Sequence, residues 1–356
     1  MHDVLRLPAA RLCFGLSLLA FAIDLAGAAL APFRINWSFY YDFAAVAVAV
    51  PLLAAVLSVV VARLEGDSAP AAKVISAVCR RSFEVCAIIA VTVVFGGAAI
   101  LMSALAASAG FPMQDAVFSG TDMALGFHWE GFVARLNGSP ELVTLLIASY
   151  KSVAITVPLS IMFFLLTGRS RELWEFIALI MLGAFMTIVI SCFVPAIGGY
   201  TYYGPDPTST SEFLRQWPKA GTYFVDGLLE VHSRLFETLE LDRVVGIVQF
   251  PSFHAILALI LIFATRHYPP LFWPMLAVNL VMLVSTVPVG GHHGVDVLGS
   301  VAVVLASIAI VDAVEGRPAR ARFARLLNRR NELVSNWAAV TLREPETLSL
   351  ENRRAN

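Results

Sequence analysis

Charge is scarce in this chain. Only 14% of its 356 residues are Asp, Glu, Lys or Arg, where a soluble globular protein carries about 25%. Cysteine is also scarce. Cys13, Cys79, Cys86 and Cys192 lie in or beside apolar segments and form no CxxC pair. They read as small apolar residues, which leaves out a thiolate zinc site or a disulfide framework. No basic domain stands out, and the formal net charge is −1, so nucleic acid is not an expected partner. Short alternating segments of the kind that build a membrane barrel are missing, and so are internal repeats and low-complexity stretches.

What remains is hydrocarbon. Hydrophobic residues make up 58% of the chain. Apolar runs of about 20 residues mark eight segments, near 12–33, 42–63, 83–108, 141–167, 173–195, 247–265, 270–287 and 292–314. Such a run matches the thickness of a bilayer. Lipid offers no partner for free backbone groups, so the expected fold class is all-α, a polytopic membrane helix bundle. The first run is too long for a signal-peptide core and is followed by further spans, so it reads as a retained helix. Asp24 inside it is expected to face protein and not lipid.

Basic residues orient the bundle. They gather at Arg6 and Arg11, at Arg63, Lys73, Arg80 and Arg81, at Arg169 and Arg171, at Arg266, and from Arg317 to Arg330. With eight helices these five stretches fall on one side, which the positive-inside rule makes the cytoplasm. Two outer loops are long, about 109–140 and 196–246. A loop of some 50 residues is more often a functional lid than a featureless linker. The chain thus divides into N-terminal transmembrane helices over 1–119, a second membrane segment over 120–315, and a tail over 316–356. In the tail Phe323, Leu326, Leu327, Leu333, Val334 and Trp337 recur at helical spacing among arginines. That pattern is expected to form a basic amphipathic helix on the cytoplasmic leaflet.

Two strings carry the chemistry: Phe250-Pro251-Ser252-Phe253-His254 and Gly291-His292-His293-Gly294-Val295-Asp296. Both begin apolar segments on the expected outer side. His292 and Asp296 are four residues apart, which on a helix sets them one turn apart on one face. A histidine held by a carboxylate is a usable nucleophile or base, and His254 could be the acid. Packed, satisfied side chains explain His232 and His267 well enough. Three titratable groups at matching depth are too costly in a membrane to be incidental. Two histidines and an aspartate could also be metal ligands, though no further close carboxylate or cysteine completes a set. A proton relay in a transporter is another reading, but these groups cluster at one face and not at the midplane.

Together the strings resemble the signature of the type 2 phosphatidic acid phosphatase superfamily. Its P-S-G-H motif stands here as Pro251-Ser252-Phe253-His254. Its S-R-x5-H-x3-D motif stands as Ser285-Thr286, five residues, His292, three residues and Asp296. The lipid phosphotransferase branch, similar to inositol phosphorylceramide and sphingomyelin synthases, is closer. Its H-Y-x-x-D-V matches His292-His293-Gly294-Val295-Asp296-Val297 with His293 at the tyrosine position. Leu125-Gly126-Phe127-His128-Trp129 and the string from Pro195 to Tyr203 match strings of bacterial members. The resemblance spans about 120–315 and marks that stretch as a catalytic domain in a bacterial plasma membrane.

The resemblance implies that His292 attacks phosphorus, Asp296 orients its ring and His254 protonates the leaving oxygen. The substrate would be a lipid phosphoester, the acceptor an alcohol or water, and the active site extracytoplasmic. A simple lipid phosphate phosphatase or a non-catalytic lipid transporter would share the scaffold. No metal or organic cofactor is implied. Ser252, within the second motif, is expected to bind substrate phosphate. Thr286 replaces the family's phosphate-holding arginine, and the first motif, K-x6-R-P, is broken, with Pro158 where arginine would follow Lys151. Another cation must therefore face the phosphate. Arg234 is the preferred candidate, with Lys219 and Arg243 behind it.

Overall fold

In a computed structural model of the chain, residues 2–31, 33–204, 211–234 and 236–317 are described here. The expected tail helix lies outside them. The helices are α1 (His2–Leu5), α2 (Pro8–Leu30), α3 (Tyr40–Arg63), α4 (Pro70–Ser108), α5 (Asp115–Ala124), α6 (Trp129–Asn137), α7 (Pro140–Lys151), α8 (Val153–Leu166), α9 (Ser170–Phe193), α10 (Gly199–Tyr203), α11 (Glu212–Gln216), α12 (Val225–Ser233), α13 (Phe253–Thr265), α14 (Pro269–Gly290) and α15 (Gly294–Val314). Among the described residues β-structure is limited to β1 (Arg34–Ile35), paired in parallel with β2 (Thr238–Leu239). The chain is an all-α polytopic membrane bundle.

Each of the eight apolar runs is helical, but they differ in reach. Helices α2, α3, α4, α9, α14 and α15 are each long and apolar enough to cross a membrane. The pair α7 and α8 passes only as one span bent by 45°. At that bend Ser152 sends both its N–H and its hydroxyl to the Ser149 carbonyl. This pulls the backbone out of the i→i−4 ladder, a recognised cause of a kink. The sixth run differs from expectation: 247–265 is helical only over the 13 residues of α13. That is about 20 Å of helix, against about 30 Å of hydrocarbon.

Loop contacts show which helix ends lie together. At one end Arg169 donates to the Tyr268 hydroxyl, and Arg81 reaches Ser170 and Glu84. At the other, β1 pairs with β2, Gln114 N–H donates to the Pro195 carbonyl, and Gly199 N–H donates to that of Gly291. The basic connections Arg169 and Arg81 thus share one end. The two long loops share the other.

The core follows the apolar faces. Phe164, Trp174, Phe176, Ile177, Ile256 and Ile260 are buried where α8, α9 and α13 meet. A second cluster joins Trp129, Val143, Leu146 and Tyr150 to Tyr200 and Phe213 of the long loop. That loop is therefore folded onto the helices over its described residues, through α10, α11 and α12, and is not an open linker. Beyond Val311 the chain forms a separate unit, in which Arg317 pairs with Asp312.

Candidate active site

The second histidine string is a turn and not the start of a helix. Helix α14 ends at Gly290, and Gly291 takes a left-handed conformation, φ 76°. Its N–H returns to the Val287 carbonyl and the His292 N–H to that of Thr286. This is a helix end that favours glycine. Space demands it too, since a Cβ on Gly291 would stand 2.4 Å from the Gly221 carbonyl oxygen. His292 and His293 sit on the turn, and α15 starts at Gly294. Asp296 is in its first turn.

The expected pair is formed nonetheless. His292 Nδ1 lies 3.0 Å from Asp296 Oδ2. With Asp296 ionised the carboxylate only accepts, which puts the proton on Nδ1 and the lone pair on Nε2. The same Oδ2 accepts the His293 N–H at 3.0 Å. Asp296 is fully buried and His292 is 3% exposed. Burial, with the nearby His293 adding to it, pushes the His292 imidazole down to about 3, while a backbone hydrogen bond at Gln249 opposes this. The ring is therefore neutral at physiological pH, as a nucleophile must be.

His254 arrives from α13, one residue after the helix begins. Ser252 caps that helix, its hydroxyl accepting from the Ala255 N–H at 3.4 Å. Ser300 of α15 donates its hydroxyl to both the Ser252 and the Asp296 carbonyls. The starts of α13 and α15 are thereby tied together, and with them His254 and Asp296. The Tyr150 ring stacks on His254, centroids 3.9 Å apart and planes at 17°. A Cβ on Gly290 would stand 2.8 Å from His292 Cδ2 and 3.1 Å from Tyr150. Both imidazoles thus border Tyr150.

Other residues build the turn. Asp122 accepts the N–H groups of Gly294 and Val295 at 2.8 and 2.7 Å, the place where a helix N-terminus favours an anion. Asp115 accepts from His293 Nε2 at 3.1 Å and from the N–H groups of Ile197 and Gly198. Trp129 donates its indole N–H to the His292 carbonyl at 3.0 Å. Asp115, Asp122 and His293 were not singled out from the sequence. Asp115 and Asp122 are seven residues apart in a short helix, two turns on one face, and that spacing was the available signal.

The two expected phosphate-binding residues fare differently from the histidines. Ser252 is fully buried with its hydroxyl engaged in the cap. Arg234 ends α12 at φ 55°, and its Nε donates to the Ser108 carbonyl at 2.6 Å. Its guanidinium lies beside Gly110. These contacts fasten the long loop to the end of α4. Arg243 lies 3.8 Å from Glu230. Lys151, the lysine of the broken first motif, follows Tyr150 directly and stands 4.5 Å over the Trp217 ring.

A sequence model of the PAP2 superfamily matches residues 117–310. That is more than half of the chain. The chain belongs to the PAP2 superfamily. No curated protein and no solved structure matches it. Membership brings lipid phosphatase or phosphotransferase-type chemistry to an integral membrane protein, and the matched stretch contains His254, His292 and Asp296.

Proposed function

We propose that this PAP2 protein moves a phosphoryl-containing group from a lipid phosphoester to water or an alcohol through a phosphohistidine at His292. The observation that carries this is the buried His292 Nδ1 to Asp296 Oδ2 contact, which leaves Nε2 as a neutral nucleophile. Nε2 would attack phosphorus while the bond to the leaving oxygen breaks and His254 gives that oxygen a proton. Asp296 stabilises the imidazolium formed at His292. The acceptor oxygen then attacks phosphorus, His254 takes its proton, and the P–N bond breaks. Most of the catalytic effect in such a transfer is positioning and charge stabilisation. The His-His-Gly-Val-Asp-Val string favours the lipid phosphotransferase branch, similar to inositol phosphorylceramide synthase, over a plain phosphatase. Rapid quenching with a lipid labelled in its phosphate tests the reading. The expected result is an acid-labile, base-stable label on His292. Turnover without any label at that residue overturns it.

The phosphate also needs a cation. Sequence reasoning assigns it to Arg234, whereas the contacts of Arg234 lie at Ser108 and Gly110. Lys151 adjoins the tyrosine that stacks on His254, so we assign the role to Lys151. Lys151→Ala is expected to lower kcat/KM by about 100-fold or more, the usual scale for losing one charge-stabilising donor. Arg234→Ala should stay within about tenfold of the parent. The opposite ranking returns the phosphate to Arg234.

The basic connections favour an extracytoplasmic site. In a cysteine-free background, Glu237→Cys should react with an impermeant thiol reagent in intact cells, and Ser68→Cys should not. Reversed labelling moves the site to the cytoplasm.

A further inference from the structure

Asp24 is the one carboxylate of α2, and the catalytic reading makes no use of it. It lies six residues before Leu30, about 9 Å from that end of the helix. The end is the one nearer the histidine site, because β1, just beyond it, pairs with β2 of the long loop. Asp24 is 7% exposed, and among the described residues its Oδ1 accepts no hydrogen bond. A buried, unmatched carboxyl oxygen is costly.

It borders a cavity of about 310 Å³ between α2, α3 and α4, whose walls include Phe21, Trp37, Tyr40, Val94 and Leu101. That volume is at the lower end of the range for small-molecule sites, which are mostly apolar with a few placed polar groups. Among the described residues no lysine, arginine or histidine lines it. The Tyr40 hydroxyl is committed to the Gly97 carbonyl at 3.0 Å. Water is a poor occupant, because a buried water needs two to four polar partners and the walls offer little beyond Asp24. An anionic headgroup would find no cation among the described wall residues, so this is not a second place for the phosphoester.

We propose that the cavity binds an amphiphile whose polar end donates a hydrogen bond to Asp24, as a hydroxyl or an ammonium does, and whose hydrocarbon chain lies along Phe21, Trp37 and Val94. The proposal stands independently of the catalytic reading.

The test uses the purified full chain in phosphatidylcholine nanodiscs, since that headgroup has no hydrogen-bond donor. Three diazirine-bearing probes of equal chain length are compared: a long-chain alcohol, the corresponding amine, and the methyl ether of the alcohol. After irradiation, labelled peptides are mapped by mass spectrometry. The alcohol, the amine or both should label residues 37–44 or 93–101, and which one does so identifies the donor. The ether should label these stretches at least tenfold less. Asp24→Leu should cut labelling there at least tenfold, with labelling elsewhere unchanged. Ala44→Phe, which fills the cavity while keeping Asp24, should do the same and decides the matter if Asp24→Leu does not insert. Equal labelling by the ether, labelling unchanged in the variants, or no labelling of these stretches by either donor probe overturns the proposal.

Discussion

His292→Ala is expected to abolish turnover, by roughly 10^4-fold or more, the scale on which enzymes lose rate with their nucleophile. The imidazole Nε2 is the one lone pair that the Asp296 contact holds ready. Alanine leaves nothing to take up the phosphoryl group, and the mechanism commits His254 to proton transfer. The fold should survive. His292 holds the turn mainly through its backbone, accepting from Trp129 and donating to Thr286, and those groups remain. The check is steady-state turnover of a labelled lipid by purified protein, alongside membrane insertion and a melting curve. Full activity in a well-folded His292→Ala protein would sink the mechanism.

The sequence exposed the membrane character, because a hydrocarbon slab imposes length and apolarity on each span whatever the packing around it. It exposed the contact between His292 and Asp296 for a related reason: both belong to one short segment, so their separation is set locally. The helical placement of that pair was the part that failed, since Gly291 ends α14 and α15 does not begin until Gly294. The short reach of α13 was hidden as well. Residues 247–252 are apolar enough to continue a span, but they approach α13 without helical structure. Distant partners were the least legible. Asp115 meets His293 across 178 positions of chain and Tyr150 meets His254 across about a hundred, and nothing local encodes either contact. Arg234 is held by an equally distant contact, its Nε donating to the Ser108 carbonyl.

Asp296→Asn should cost nearly as much as losing the nucleophile, about 10^4-fold in turnover, although it changes almost no volume. Asp296 Oδ2 receives two donors, His292 Nδ1 and the His293 N–H. An amide offers one oxygen and one NH2 group. If the amide oxygen takes Oδ2's place, both bonds persist but the charge that stabilises the developing imidazolium is gone. If the NH2 takes it, Nδ1 must accept, the proton moves to Nε2, and the lone pair no longer faces phosphorus. Either orientation removes the reaction, and the second also opposes the His293 N–H. The substitution therefore separates orientation and charge from mere presence of the imidazole, which His292→Ala cannot do. Expected together are normal insertion, a melting temperature near that of the parent, substrate binding retained, and almost no phosphoenzyme on rapid quench. Activity within about tenfold of the parent would mean that the carboxylate only packs the turn, as Asp122 does at Gly294 and Val295, and the base that serves His292 would have to be sought elsewhere.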